Sequence, residues 1–209
     1  MTRIPRTATV AIIVLTVAAW LIAVGLGMGD RAAGALGFIP ARMSGLIRVT
    51  PALPVVLTPL SATLVHGGPL HILFNMMMLA WCGTAVERVL GRWSLVLLYV
   101  VGAYAAAAAQ WLVDPSAMVP MVGASGAISA VIGAFALSFG RAKQVTSSAR
   151  INRWVNVVWL LVAWVVLQLM LGWLANGQGT LLATPAHIGG FIAGLLLQRP
   201  LLLWRYRKA

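Results

Sequence analysis

The sequence predicts an all-α membrane protein, a bundle of six transmembrane helices. Three observations predict it. The chain of 209 residues is 61% hydrophobic and 9% charged, with a mean hydropathy of +0.96, too little charge to coat a soluble domain. Its apolar residues gather into six stretches, most of them near the length a helix needs to cross about 30 Å of hydrocarbon. Its basic residues lie between those stretches or at their ends, while glycine and alanine are abundant inside them, as close helix packing in lipid favours. A net charge of +12 distributed in this way reads as a topology signal and not as a nucleic-acid surface.

The elements follow in order. Residues 8–28 make the first helix. Arg3 and Arg6 precede it as in a signal peptide, but no cleavage pattern ends it, so it is taken as retained. Residues 29–65 form a long outer loop in which Phe38, Ile39, Leu46, Ile47, Leu53, Val55 and Val56 mix with Arg31, Arg42 and Arg48. That mix suits a segment lying among lipid headgroups. Residues 70–86 make the second helix, with the lone Cys82 inside it, which excludes an internal disulfide. Residues 93–112 make the third.

The fourth, 125–139, is short. At 1.5 Å per residue it rises only about 20 Å, so Ser125 is expected below the outer surface if the other end reaches the cytoplasmic interface. Residues 114–123 must then enter the membrane as irregular backbone, which protein or a water-filled cavity has to satisfy. Residues 154–174 make the fifth helix. Its Trp154 and Trp173 fit interfacial belts, and Trp159 and Trp164 read as lipid-facing bulk. Residues 186–204 make the sixth. The whole of 1–209 is expected to be one membrane domain with no soluble domain appended.

The charges orient the bundle. Arg3, Arg6, Arg88, Arg92, Arg141, Lys143, Arg150, Arg153, Arg199, Arg205, Arg207 and Lys208 fall on one side, and Arg31, Arg42 and Arg48 on the other, twelve against three. The positive-inside rule makes the first side, and both termini, cytoplasmic. Helices two, four and six then all begin on the outer side, and His71, Ser125 and His187 sit at those beginnings.

Ser125 lies in Gly123-Ala124-Ser125-Gly126 and His187 in Ala186-His187-Ile188-Gly189-Gly190. Serine also packs well on a small-residue helix face, so the serine alone specifies nothing. With a histidine at the same depth it becomes a candidate nucleophile, whose proton a neutral imidazole can accept and hand to a leaving amine. Gly190 and Gly194 place a glycine groove beside His187. Asp30, Glu87 and Asp114 are the acidic residues. Asp30 and Asp114 fall in outer loops and Glu87 at the opposite face, so a serine–histidine dyad without an acid is expected.

His71 and Asn75 share one helix face at i, i+4 and, beside the Ser125 amide, are candidates to hold an oxyanion. They also suit ordinary interhelical hydrogen bonding. Zinc proteolysis would need H-E-x-x-H, which is absent, and three histidines with almost no acids make a poor metal site. Aspartyl chemistry would need two embedded aspartates. No metal or cofactor is expected.

Taken together, the chain resembles the rhomboid family of intramembrane serine proteases. The matching residues are His66-Gly67-Gly68-Pro69-Leu70-His71-Ile72-Leu73-Phe74-Asn75, Gly123-Ala124-Ser125-Gly126, and Ala186-His187-Ile188-Gly189-Gly190 with Gly194. The resemblance implies a six-helix fold and cleavage of peptide bonds in or near transmembrane segments of other membrane proteins. It makes Ser125 the nucleophile and His187 the base. It makes His71, Asn75 and the Ser125 amide the oxyanion hole, and His66 a supporting outer histidine, with Gly123 and Gly126 flanking the nucleophile. It implies lateral substrate entry between the second and fifth helices, with Asn176-Gly177-Gln178-Gly179-Thr180 as part of a mobile cap.

There are two departures from the family's pattern. Ser129 stands where many members carry an aromatic residue stacked on the histidine. Val55-Val56-Leu57-Thr58-Pro59-Leu60-Ser61 replaces a frequent Trp-Arg pair.

The expected partners are transmembrane protein substrates and the bilayer, without nucleic acid. A bacterial inner membrane suits the small six-helix plan, with the active site towards the outer face. The rival readings are a non-catalytic member of the fold that binds membrane clients, and a small transporter, which would need embedded acids for ion coupling.

Overall fold

In lipid a backbone can satisfy its own N–H and C=O groups only by coiling, and helices dominate this chain. The structure, a computed structural model, describes residues 7–140, 144–177 and 183–207. Arg3, Arg6, Arg141, Lys143 and Lys208 of the charge pattern, and Gln178-Gly179-Thr180 of the expected cap, lie outside the described residues.

Helix α1 spans Ala8–Gly25. It is followed by a run of short elements: α2 (Gly29–Leu36), α3 (Pro40–Met43), a 3-10 turn (Val55–Leu57), α4 (Thr58–Ser61) and a second 3-10 turn (Ala62–Leu64). Helix α5 (Pro69–Met78) passes through a π segment (Leu79–Gly83) into α6 (Thr84–Leu90). Then come α7 (Arg92–Val113), α8 (Ser125–Phe139), α9 (Ala149–Gly177) and α10 (Thr184–Arg205). Among the described residues, five spans are long and apolar enough to cross a membrane: α1, α5 through α6, α7, most of α9, and α10. The 15-residue α8 is the shorter sixth member. Fold and composition make this an integral, multi-pass, all-α membrane protein.

Helix α9 begins at Ala149, five residues before the expected start. Arg150 and Arg153 are good helix formers that can extend along the helix toward a polar boundary, so the helix outruns its apolar stretch.

Helix α8 lies at the centre, packed on α7 and α10. Its Ile128 and Val131 are fully buried, as are Leu79, Val86, Leu95 and Leu98 around it. At the opposite end of α5–α6 from His71, the Glu87 carboxylate accepts hydrogen bonds from Ala8 N (2.7 Å), Thr9 N (2.9 Å) and Thr9 Oγ1 (2.6 Å). It thereby satisfies the free donors at the α1 N-terminus with the sign of charge the helix dipole favours.

The outer segment differs from its expected form. Phe38 and Ile39 are not among headgroups; each is 3% exposed. Phe38 packs with Ala62 and Ala107, against Trp111 and Met121. Its backbone exchanges two hydrogen bonds with Met121, at 3.0 and 2.8 Å. Ala117 O accepts from Ala41 N (3.0 Å), Ala62 O accepts from Gly123 N (2.9 Å), and Pro115 O accepts from Ser44 Oγ (2.7 Å). The irregular 114–123 backbone is thus tied to the folded-back 29–65 segment at Pro115, Ala117, Met121 and Gly123. These bonds, with Tyr104 Oη donating to Val56 O (3.0 Å), anchor the loop that lacks the Trp-Arg pair. Leu46, Leu53 and Val56 remain exposed.

Candidate active site

Ser125 is the first residue of α8, and His187 lies in the first turn of α10. The two meet: Ser125 Oγ is 2.8 Å from His187 Nε2. The contact depends on how closely the helices approach. A Cβ on Gly190 would collide with Gly126 O, and one on Gly194 with Ala130 O. On the other side of α8, a Cβ on Gly126 would lie 2.5 Å from Ala106 Cβ. Glycines at these positions let backbone rest on backbone, which brings a short serine side chain within reach of the imidazole.

His71 sits over Gly123. That glycine has φ +108°, and a Cβ there would be 2.6 Å from His71 Nε2, so both backbone and neighbour demand glycine. His71 Nδ1 accepts from Gly67 N at 3.4 Å, which leaves the ring proton on Nε2, the side facing Gly123. Asn75 is buried and its Nδ2 donates to His71 O at 2.8 Å. His66 is buried beside them, its ring edge-on to His71 with centroids 5.0 Å apart. Its Nε2 accepts from Ala124 N at 3.4 Å. Burial, and after it the neighbouring His71, lower the His66 pKa from 6.5 to about 4.

Two residues at the site escaped sequence reasoning. Gln168 on α9 places Oε1 2.8 Å from His187 Nδ1, in a buried contact. Trp164, one turn earlier, donates from Nε1 to His187 O (3.2 Å) and stacks on Phe191, with centroids 4.7 Å apart and rings 8° from parallel. Trp164 is thus not lipid-facing bulk, because its indole turns onto α10. The histidine also has a third group beyond the expected pair, and it is an amide rather than an acid. A signal existed for Gln168: it is an uncharged polar residue deep in an apolar helix, where such groups are costly and commonly functional. Ser129, where the aromatic stack was missing, is buried and donates to Ser125 O at 2.8 Å.

A cavity of about 20 Å³ opens beside Ser125, bordered by Thr63, Ala103, Ala106, Met121 and Ala186 among others. Among the described residues, no three His, Cys, Asp or Glu side chains converge as a metal site. A hydroxyl hydrogen-bonded to an imidazole nitrogen can pass its proton there as its oxygen attacks an electrophile. The first N–H groups of a helix, free of intrahelical partners, can receive the negative charge that results.

Fold and site together define a multi-pass membrane protein with a serine–histidine pair at its helix ends. The chain belongs to the rhomboid family: residues 55–204 match the family model described as Rhomboid domain. It is 30% identical over 144 residues to RHOMBOID-like protein 5 of Arabidopsis thaliana, covering 69% of this chain and 43% of that one. It is 33% identical over 146 residues to RHOMBOID-like protein 4 of the same plant, covering 69% and 34%. Over 140 residues it is 28% identical to Rhomboid protease GluP of Bacillus subtilis, covering 66% and 24%. The chain spans less than half the length of each of these relatives.

Proposed function

We propose that this chain is an intramembrane serine endopeptidase that cuts peptide bonds in or near transmembrane segments of other membrane proteins. The observation that carries the reading is the 2.8 Å contact between Ser125 Oγ and His187 Nε2 at the N-terminus of α8. The protease name of the Bacillus subtilis relative supports it.

Ser125 Oγ forms a bond to the scissile carbonyl carbon while its proton passes to His187 Nε2. The carbonyl oxygen takes up the electron pair and is held by the Ser125 N–H, with His71 and Asn75 as side-chain donors. The tetrahedral intermediate collapses, the C–N bond breaks, and His187 delivers the proton to the leaving amine. Water then attacks the acyl-serine by the same steps in reverse, with His187 again accepting and returning a proton. His66 supports the α8 N-terminus through Ala124 N, and Gly123, Gly126, Gly190 and Gly194 set the approach of the helices.

The substrate must present an unwound segment, because a helix engages its carbonyls in hydrogen bonds. The small cavity beside Ser125 has room for about one water or a methyl group, which favours small residues near the cut bond. Residues 1–209 act as one membrane domain with both termini cytoplasmic and the site towards the outer face, in a bacterial inner membrane. The charge asymmetry supports that orientation.

The test is cleavage of a single-span membrane substrate by purified protein in liposomes, with Ser125→Ala and His187→Ala beside the wild type. Cleavage abolished in both variants, and fluorophosphonate labelling lost in Ser125→Ala, is the expected result. Equal cleavage by all three removes these residues from the chemistry. A folded wild type that neither cleaves nor labels at Ser125 favours the client-binding alternative.

A further inference from the structure

We infer that Gln168 is the positioning residue that makes His187 a base, so that α9, and not only the α8–α10 pair, determines whether the site is competent. This deepens the proposed function and rests on it.

A neutral imidazole carries one N–H, and which nitrogen bears it is set by the partner of the other. The Gln168 carbonyl oxygen can only accept. At 2.8 Å from Nδ1 it holds the proton there and leaves the Nε2 lone pair facing Ser125 Oγ, also at 2.8 Å. Turned over, the amide would donate to Nδ1 and force the proton onto Nε2, where the serine proton could not be taken. The role therefore belongs to an acceptor and not to a shape.

Carboxylates do not fill it: Glu87 is engaged at the α1 N-terminus and Asp114 in a turn with Ser116. The contact is buried, with Gln168 4% and His187 8% exposed, so water does not compete freely for either group. Trp164 adds a second hold from the same face of α9, on the His187 carbonyl. Because Gln168 and Trp164 are one turn apart, a displacement of α9 removes both holds at once and unfixes the ring.

The experiment compares wild type, Ser125→Ala, Gln168→Met, Gln168→Leu and Gln168→Glu as full chains in liposomes, reading kcat, KM, fluorophosphonate labelling and the unfolding midpoint. Methionine keeps the length and removes the acceptor; leucine is a second acceptor-free variant if methionine fails to fold. Expected is a fall in kcat of about 10- to 100-fold, the range for losing a hydrogen-bonded partner that orients a functional histidine. KM should be unchanged, and the unfolding midpoint should fall only by the modest amount that one lost buried hydrogen bond costs. Gln168→Glu keeps an acceptor and should stay within about threefold of wild type in kcat, on the same orientation argument.

A packing role makes the opposite forecast: Met or Leu active and Glu inactive. That result, or full activity in all three variants, overturns the inference while leaving the serine–histidine reading intact. A wild type that neither cleaves nor labels overturns both.

Discussion

Helix α10 is held from two sides in two different ways. Against α8 it packs backbone to backbone: Gly190 lies on Gly126 O, Gly194 on Ala130 O, and a Cβ on Gly133 would stand 2.6 Å from Phe191 O. Against α9 it packs through side chains, the Trp164 stack on Phe191 and the Gln168 contact to His187. Half of the spanning window of α10 is buried inside the protein, against 11% of that of α9. The difference teaches that proximity and orientation have separate sources. Glycine contacts admit almost no adjustment, since interiors are close-packed, and they set the distance from serine to histidine. Side-chain contacts from a mostly lipid-exposed helix are adjustable, and they set which way the imidazole faces.

The largest effect should come from breaking the rigid side. Gly190→Ala puts a methyl group onto Gly126 O and should cost about 3 kcal/mol, the upper end for overpacking, read as a drop in unfolding midpoint in detergent. Cleavage should fall by more than about 100-fold, because a displacement near 1 Å is enough for that. Unchanged cleavage in a destabilised Gly190→Ala would show that the α8–α10 approach does not set the dyad.

A smaller effect should come from the adjustable side. Trp164→Phe keeps an aromatic ring on Phe191 but removes the N–H that His187 O accepts, a loss of about 1 kcal/mol. If that falls on the transition state, kcat drops by about fivefold, with the unfolding midpoint moved far less than by Gly190→Ala. Equal damage from the two substitutions would erase the distinction between the two contacts.

The smallest effect at neutral pH concerns His66 and emerges only on acidification. His66 is neutral in the folded chain down to its lowered pKa of about 4, whereas the unfolded chain takes up that proton below about 6.5. Its contribution to stability is therefore complete above pH 6.5 and is lost as pH falls from 6.5 toward 4. His66→Gln should flatten stability against pH across that window and leave it parallel to wild type above it. Identical curves across the window would show that burial does not disfavour the charged ring.

Much of this was legible in residues alone. The apolar stretches require helices because lipid offers a backbone no other partner, so α1, α7, α8 and α10 follow from composition and punctuation. Charge also placed His71, Ser125 and His187 at the same end of their helices, since Lys and Arg avoid the hydrocarbon. The small residues of Gly123-Ala124-Ser125-Gly126 and Gly189-Gly190 announced close approach, because only glycine tolerates it.

What escaped was which face of each helix turns inward. Helix α9 is apolar nearly all round, so no amphipathic stripe distinguishes Trp164 and Gln168 from their lipid-facing neighbours. Phe38 and Ile39 have the composition of an interfacial segment, and only the pairing of Phe38 with Met121 and of Ala41 with Ala117 draws the segment inside. By itself the sequence determined the helices and the chemical groups available, both of which depend on local composition against a fixed solvent. The tertiary structure alone decided the 2.8 Å contacts of His187 with Ser125 and Gln168. Those depend on the rotation and spacing of helices whose surfaces look alike to lipid and differ only to one another.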